Sequence, residues 1–257
     1  MQTLLQGGQQ LIAKSAEIQP PWLRWRFASN ALLGRWPWEI LQLKPRGSRM
    51  KHVSIKTSNG PLIVGITGAS GVIYGVRLLE LLRDWNIETH LIVSRAAQMT
   101  LASETDLKLA DVERLAKVVH SNSDVGAACA SGSFRTRGMI IAPCSIKTMA
   151  EIATGNTANL ISRAADVVLK ERRRLVLMLR ETPLHIGHIR NMAAVTEAGA
   201  IVYPPVPAFY ALPKSIEEMV DHTLARVLDL FDIDTGKVRR WTGERTRPKS
   251  REQVDHS

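Results

Sequence analysis

A glycine-rich turn directly follows an apolar segment, and this arrangement could bind a phosphate group. Residues 61–67 are mostly apolar, which is typical of a buried parallel strand, and Gly68 and Gly71 follow. Glycine lets the backbone turn sharply and approach a ligand closely. The amphipathic run 72–82 then predicts a helix whose first turn offers free N–H groups and the positive end of a dipole. We therefore expect a phosphorylated cofactor at this turn.

Polar side chains also follow the ends of three later apolar segments. Ser94 stands where a dinucleotide site usually carries an acidic residue for the ribose hydroxyls, so a mononucleotide is favoured over NAD. Further along, Ser145 is suited to cap a helix, and it and Thr148 can offer hydroxyl groups to a ligand. The fourth segment ends in Arg180 and Glu181, a pair that could act on a ligand or simply end the strand.

Other chemically capable residues also have simpler interpretations. One face of a predicted helix carries Arg163, Asp166 and Lys170, because their spacing matches the helical repeat. Such a face is by default a solvated surface. Cys144, at a strand end, could be a nucleophile, although a small buried core cysteine is the more common case.

The chain from residue 61 onward alternates strand-like and helix-like segments. We predict strands over residues 61–67, 87–93, 138–142, 174–180 and 200–203. We predict helices over residues 71–84, 95–103, 145–154, 159–172, 184–198 and 215–230. This alternation indicates an α/β fold with a doubly wound, mostly parallel sheet, Rossmann-like or flavodoxin-like, in a single domain. Ligands bind at the carboxyl ends of the strands in such sheets, where Ser94, Ser145 and Arg180 are expected.

Composition narrows the class of protein. Most of the net charge of +10 lies in residues 1–60, which hold nine Lys or Arg and two Asp or Glu. Residues 61–257 hold 25 Lys or Arg and 22 Asp or Glu. The larger part is therefore nearly neutral, and its basicity is no argument for nucleic-acid binding. Cys129 and Cys144 do not make a disulfide framework and fit a reducing, cytoplasmic compartment. No run of about 18 apolar residues predicts a membrane-spanning helix.

Residues 1–60 differ from the rest of the chain, with four tryptophans mixed with arginines between positions 22 and 38. Three interpretations remain open. The segment could be an organelle-targeting sequence, which would imply a mitochondrial location, or an anchor on a membrane surface. Alternatively, translation starts at Met50, shortly before the first predicted strand. We expect an extension over 1–60, a functional domain over 61–241 and a polar tail over 242–257.

Five stretches together resemble the UbiX-type flavin prenyltransferase family. They are residues 65–71 with Tyr74 and Gly75, and residues 142–145, 163–173, 180–184 and 204–210. The combination is specific, although the first stretch alone is not. The order and spacing fit from about residue 61 to Trp241, and residues 1–60 lie outside the resemblance.

The resemblance implies a homo-oligomeric enzyme, usually dodecameric, that joins a dimethylallyl group from dimethylallyl phosphate to N5 and C6 of reduced FMN. Its product, prenylated FMN, would serve a UbiD-type decarboxylase as product acceptor, including one in ubiquinone biosynthesis. The donor in this member could be the monophosphate or the diphosphate. No nucleic-acid partner is expected.

The resemblance also implies a set of site residues. FMN would contact Gly68, Ala69, Ser70, Ser94, Ser145, Ile146, Lys147, Thr148 and Arg180. The prenyl phosphate would be surrounded by Ser70, Glu104, Lys170, Glu181, Tyr210 and Arg226, several from neighbouring subunits, with Arg163 nearby. Cations and hydroxyl groups would stabilise the departing phosphate, so no metal is expected. As a hypothesis, Glu181 acts as an acid or base and Glu104 assists, with Ser70 and Lys170 completing the catalytic set.

Two other functions remain as alternatives. A flavin-dependent cysteine decarboxylase of the same fold would oxidise a thiol substrate, but it typically carries a Pro-x-Met-Asn-x-x-Met-Trp segment that this sequence lacks. A non-catalytic, FMN-binding regulatory subunit would not need Lys170, Glu181 and Tyr210, all of which are present.

Overall fold

Alternating strands and helices build one parallel sheet with helices on both faces. The computed structural model describes residues 60–236 and residue 238. Its strands are β1 (Leu62–Ile66), β2 (Thr89–Val93), β3 (Val118–Ser121), β4 (Gly138–Cys144), β5 (Arg174–Leu179) and β6 (Ile201–Val202). They pair in the order β3-β2-β1-β4-β5-β6, and every pairing is parallel. The predicted doubly wound α/β sheet is confirmed, in the strand order typical of Rossmann folds.

Helices cover both faces of this sheet. In the described part of the chain they are α1 (Val72–Asp84), α2 (Arg95–Glu104), α3 (Leu109–Glu113), α4 (Ile146–Thr154), α5 (Leu160–Lys170), α6 (Ile186–Glu197) and α7 (Ile216–Asp229). One face packs against α1, α2, α3 and α7, and the other against α4, α5 and α6. None of these described helices is long and apolar enough to cross a membrane.

The two central strands, β1 and β4, are apolar along their whole length because both faces of the sheet are covered. In β1, Leu62, Val64 and Ile66 join the hydrophobic cluster that contains α1 and α7. Ile63 lies in the opposite cluster, and every residue of β4 is buried. A parallel sheet buried on both sides requires such strands.

Four elements were not predicted from the sequence: β3, α3 and two three-residue 3-10 helices, Ala128–Ala130 and Phe209–Ala211. β3 is a four-residue edge strand whose side chains are only partly buried or exposed, so it lacks the apolar run of an inner strand. The five-residue helix α3 is too short to show a helical period. The other elements begin and end within two residues of the predicted positions. The interpretations of the segment before residue 60 and of the tail 242–257 lie outside the described residues.

The topological switch point lies between β1 and β4. These strands are neighbours in the sheet, but α1 follows β1 on one face and α4 follows β4 on the other. In open α/β sheets the crevice at such a point, outside the carboxyl ends of the strands, is where ligands bind. The loops after β1 and β4 form its two walls.

Candidate active site

The loops that follow β1 and β4 are joined by the buried side chain of Thr67. Its Oγ1 donates a hydrogen bond to the carbonyl oxygen of Pro143 at 2.8 Å and accepts one from the N–H of Ser145 at 2.8 Å. Only 1% of Thr67 is exposed, so these bonds are shielded from competing water. They hold the two walls of the crevice at a fixed separation.

Gly68 and Gly71 make the turn after β1 possible for two different reasons. Gly71, the N-cap residue of α1, has a φ of 96°, in the left-handed region that favours glycine. A Cβ atom at Gly68 would collide with the side chain of Ala96 in α2. The predicted sharp turn is confirmed, and the close approach at Gly68 is to α2.

The N-terminus of α1 is covered by Glu104, the last residue of α2. Oε2 of Glu104 accepts hydrogen bonds from the N–H groups of Gly71 and Val72, each at 2.9 Å. The prediction that these N–H groups are free for a phosphate is therefore wrong. Burial by itself raises the pKa of Glu104. Hydrogen bonds from Ser70 and the two N–H groups, with the charge of Arg180, outweigh burial and hold that pKa below its ordinary value.

A cavity of about 230 Å³ lies at the carboxyl ends of the central strands. Three of its lining residues are helix N-caps: Ser94 of α2, Ser145 of α4 and Asn159 of α5. The other lining residues are Thr67, Gly68, Arg95, Ala96, Asn122, Lys147, Thr148, Glu151 and Ile161. The predicted N-cap at Ser145 is confirmed, since its Oγ accepts a hydrogen bond from the N–H of Thr148 at 3.3 Å. The positive ends of α2 and α4 and several hydroxyl groups fit the phosphate end of a mononucleotide.

Lys147 and Glu151 form an ion pair on the wall of this cavity. Nζ of Lys147 lies 2.6 Å from Oε1 of Glu151, and Oε2 of Glu151 accepts a hydrogen bond from Nδ2 of Asn159 at 3.1 Å. The first N–H groups of α5 also donate to Asn122, at 2.8 Å to its carbonyl oxygen and 3.1 Å to its side chain. The positive charge of Lys147 is therefore balanced within the chain.

Arg180 and Glu181 follow β5 at the same edge of the sheet. The N–H of Arg180 donates to the carbonyl oxygen of Cys144 at 3.2 Å, so this segment continues beside the end of β4. The charge of Arg180 reaches Glu104 and lowers its pKa. The exposed Glu181 carboxylate accepts a hydrogen bond from the N–H of Thr182 at 3.0 Å. The structure thus brings Arg180 to the Ser70–Glu104 pair.

Lys170 lies far from the crevice of its own chain. The helix α5 begins at the crevice with Asn159 and is 11 residues long, so Lys170 is about 16 Å away along the helix axis. Lys170 pairs with Glu171 at 2.7 Å, and Arg163 pairs with Asp166 at 3.2 Å. Within one chain, the structure does not bring Lys170 to the other predicted site residues.

Tyr210 and Arg226 belong to a second cluster, around α7. The ring of Tyr210 lies edge-on to His222 with centroids 5.8 Å apart, and Arg226 pairs with Asp229 at 2.6 Å. Burial raises the pKa of the nearby Tyr203, and the charge of Arg226 partly offsets that effect. Neither Tyr210 nor Arg226 lines the cavity beside Thr67.

Cys144 is completely buried at the end of β4. Burial raises the pKa of its thiol to about 12, and it raises that of Cys129 to about 11. A thiol protonated at neutral pH is a poor nucleophile, so the interpretation of Cys144 as a core residue is confirmed.

Some residues of the crevice were not among the predicted site residues: Thr67, Arg95, Asn122, Glu151 and Asn159. Asn159 precedes a predicted helix, and its capping side chain is a signal that could have identified it. The spacing of Glu151 from Lys147 is typical of a helical ion pair. Asn122 follows the missed strand β3. Thr67 has no such signal, because its role depends on β4 lying beside β1.

Comparison with known proteins identifies the family. The family model described as flavoprotein matches residues 50–233. The flavin prenyltransferase UbiX of Thauera aromatica is 54% identical over 192 residues, which covers 74% of this chain and 99% of that protein.

Two solved structures are also similar. AnUbiX (PadA1), crystallised in complex with FMN and dimethylallyl pyrophosphate, is 52% identical with a TM-score of 0.71, covering 72% of this chain and 98% of that one. A dodecameric FMN-dependent UbiX-like decarboxylase from Escherichia coli O157:H7 is 49% identical with a TM-score of 0.69, covering 71% and 100%. The chain therefore belongs to the flavoprotein family and, within it, to the UbiX-type flavin prenyltransferases.

Proposed function

We propose that this protein transfers the dimethylallyl group of dimethylallyl phosphate to N5 and C6 of reduced FMN and releases phosphate. The chain is a flavin prenyltransferase, and FMN is its flavin. The crevice at the switch point supports this assignment of the site. Three helix N-termini meet there, beside the Ser70–Glu104 pair. The similar proteins from Thauera aromatica and Escherichia coli are flavin prenyltransferases, which does not favour a cysteine decarboxylase or a binding-only subunit.

We assign the phosphate end of FMN to the cavity lined by Ser94, Ser145 and Thr148. Their hydroxyl groups and the neighbouring helix ends supply donors for an anion. The flavin ring is placed along Gly68–Ser70 and near Arg180. This placement leaves Glu104 and Ser70 at the ring, where the prenyl group must react.

Reduced flavin supplies two nucleophilic positions, N5 and C6, when it is bound. The allylic carbon–oxygen bond would break with its electron pair going to the phosphate. The new bonds to N5 and C6 would replace two hydrogens of the flavin, of which one proton is taken up by the alkene carbon and the other by the departing phosphate. The flavin therefore gains one C5H8 unit. Hydroxyl groups and cations of Ser70, Lys170, Tyr210 and Arg226 stabilise the charge that builds up on the departing phosphate. Because the reacting atoms must be held in line, orientation supplies much of the acceleration.

We assign the two carboxylates different tasks. Glu104 is ionised at neutral pH and is hydrogen-bonded to Ser70, and on this contact we assign it the role of accepting a proton through Ser70. Glu181 is exposed at the end of β5, and we assign it proton donation to the leaving phosphate. A Glu181→Gln enzyme with an unchanged rate would remove Glu181 from this role.

A neighbouring subunit must supply Lys170 if it acts on the phosphate, because its own crevice is about 16 Å away along α5. We propose that Tyr210, Arg226 and Arg163 reach the prenyl phosphate in the same way. The dodecameric relative from Escherichia coli O157:H7 supports a homo-oligomer of this kind. A dodecamer is the assembly we propose.

The product of this reaction would be used by a second enzyme. We propose a UbiD-type decarboxylase that takes prenylated FMN as its cofactor, in a route that includes ubiquinone biosynthesis. Both cysteines are free thiols, which supports a reducing, cytoplasmic compartment.

Mass spectrometry of the flavin tests the reaction. The protein is incubated with reduced FMN and dimethylallyl phosphate, without oxygen or added metal, and the flavin is expected to gain one C5H8 unit. Bound but unmodified FMN, with dimethylallyl diphosphate also failing, would contradict the proposal.

Mixed oligomers test the contribution of a neighbouring subunit. Lys170→Met and Glu104→Gln are each expected to lose activity, and Lys117→Met, which removes an exposed lysine elsewhere, is the matched control. Co-assembly of the two inactive variants is expected to restore part of the activity, because some crevices then combine intact Glu104 with intact Lys170. No restoration in verified mixed oligomers would place both residues in one chain's site.

A further inference from the structure

We propose that Arg95, rather than Lys147, is the cation that binds the phosphate of FMN and lets the enzyme select FMN over riboflavin. This inference rests on the proposed function, since it takes the cavity at the three helix N-termini as the phosphate site. It assigns Arg95 a specificity-determining role in that site.

The charges around the cavity point to Arg95. Its charged lining residues in the described part of the chain are Arg95, Lys147 and Glu151. Lys147 and Glu151 neutralise each other at 2.6 Å, and Glu151 also holds Asn159. No carboxylate among residues 60–236 and 238 forms an ion pair with Arg95. Arg95 is therefore the cation whose charge remains available to an anion.

The position of Arg95 in its helix supports the same conclusion. It is the first residue of α2, directly after the N-cap Ser94, and the first turn of α2 contains no acidic residue. A cation at this end is repelled by the positive end of the helix dipole. Lys147 is also near a helix N-terminus, but its partner Glu151 removes that repulsion. A phosphate bound between α2 and α4 would likewise offset the repulsion between Arg95 and the positive end of α2.

The cavity geometry places Arg95 beside the proposed phosphate. Arg95 lines the 230 Å³ cavity and also a neighbouring cavity of about 410 Å³, and both cavities share Asn122 and Asn159. The contact between Gly68 and Ala96 holds the first turn of α2 against the loop after β1. A guanidinium group can donate two parallel hydrogen bonds to a phosphate, which an ammonium group cannot match.

Binding of oxidised FMN and of riboflavin to the full-length protein, followed by flavin fluorescence, tests this role. We expect Arg95→Met to weaken FMN binding about 10- to 100-fold, as for a lost hydrogen bond to a charged group. Riboflavin affinity should change by less than about twofold, because it lacks the phosphate. Arg95→Lys should recover part of the loss, and Lys147→Met should weaken FMN binding by only about threefold. Arg114→Met, which removes an exposed arginine paired with Asp111, is the matched control.

The outcomes distinguish a failure of the role of Arg95 from a failure of the proposed function. Equal weakening of FMN and riboflavin by Arg95→Met, or a loss in Lys147→Met as large as in Arg95→Met, would overturn the role of Arg95. If the wild type and Arg95→Met bind FMN equally well, the role of Arg95 is overturned. The proposed function would then remain intact. Wild-type protein that binds neither flavin would contradict the proposed function itself.

Discussion

The carboxylate of Glu104 lies across the first turn of α1, where its Oε2 accepts a hydrogen bond from the N–H of Val72 at 2.9 Å. An anion from the chain thus occupies the helix end at which the glycine-rich turn predicts a phosphate. A second anion would be repelled there, so the cavity between α2, α4 and α5 is the better place for the phosphate of FMN. In the function proposed above, Glu104 and Ser70 would then remain at the reacting end of the flavin.

Glu104→Gln should make folding less sensitive to acid. The pKa of Glu104 is lowered from 4.5 in the folded protein, so its stabilisation is present above that value and is lost as pH falls through the lower, folded value. We expect the variant to lose about 1 kcal/mol of unfolding free energy at pH 7, as for a helix cap, and much less near pH 3. Urea unfolding at both pH values measures the difference. A difference independent of pH would contradict the lowered pKa.

Thr67→Val should separate the two walls of the crevice. Valine has nearly the same shape but leaves the partly buried N–H of Ser145 without its acceptor, which costs about 1–3 kcal/mol. Urea unfolding should show this loss, and FMN binding should weaken because the loops after β1 and β4 are no longer joined. Thr67→Ser keeps the hydroxyl group and serves as the control. If both variants weaken FMN binding equally, the hydroxyl group is not the cause.

Cys144 and Cys129 should not react with a thiol reagent in the native protein. Burial raises their pKa values to about 12 and about 11, so almost no thiolate exists at pH 8. A colorimetric thiol titration should show negligible native reaction and two reactive thiols in denaturant. Rapid native reaction at one thiol would show that it is accessible.

His90 and His120 should make stability fall below about pH 6.5. Nδ1 of His90 lies 2.9 Å from Nε2 of His120, between β2 and β3. Burial lowers both pKa values, and for His90 the neighbouring imidazole adds to the effect. A group with a lowered folded pKa binds its proton more readily when unfolded, so acid favours unfolding.

His120→Gln tests the contribution of this pair. The variant should show a shallower loss of unfolding free energy between pH 6.5 and 5 than the wild type, because one partly buried imidazole has been removed. Thermal or urea unfolding over this pH range measures the slope. An identical slope would show that these histidines do not govern the acid sensitivity.

The order of most elements could be predicted from the sequence alone, as could the carboxyl edge of the sheet as the candidate site. Continuous apolar strands such as β1 and β4 are required when a parallel sheet is covered on both faces, and that requirement is visible residue by residue. Capping by Ser145 is also a local property, since its partner Thr148 is three residues away. Short or half-exposed elements such as β3 carry no comparable pattern.

Which side chains come into contact became visible only in the folded chain. Thr67 and Ser145 are far apart in the chain, and Glu104 reaches the helix that begins at Val72 only because α1 and α2 pack on the same face. The Lys147–Glu151 ion pair is local to α4, but the hydrogen bond from Asn159 to Glu151 depends on where α5 lies beside α4. Contacts between distant residues follow from the sheet order, which no local pattern contains, so the free cation Arg95 and the distant Lys170 became apparent only in the folded chain.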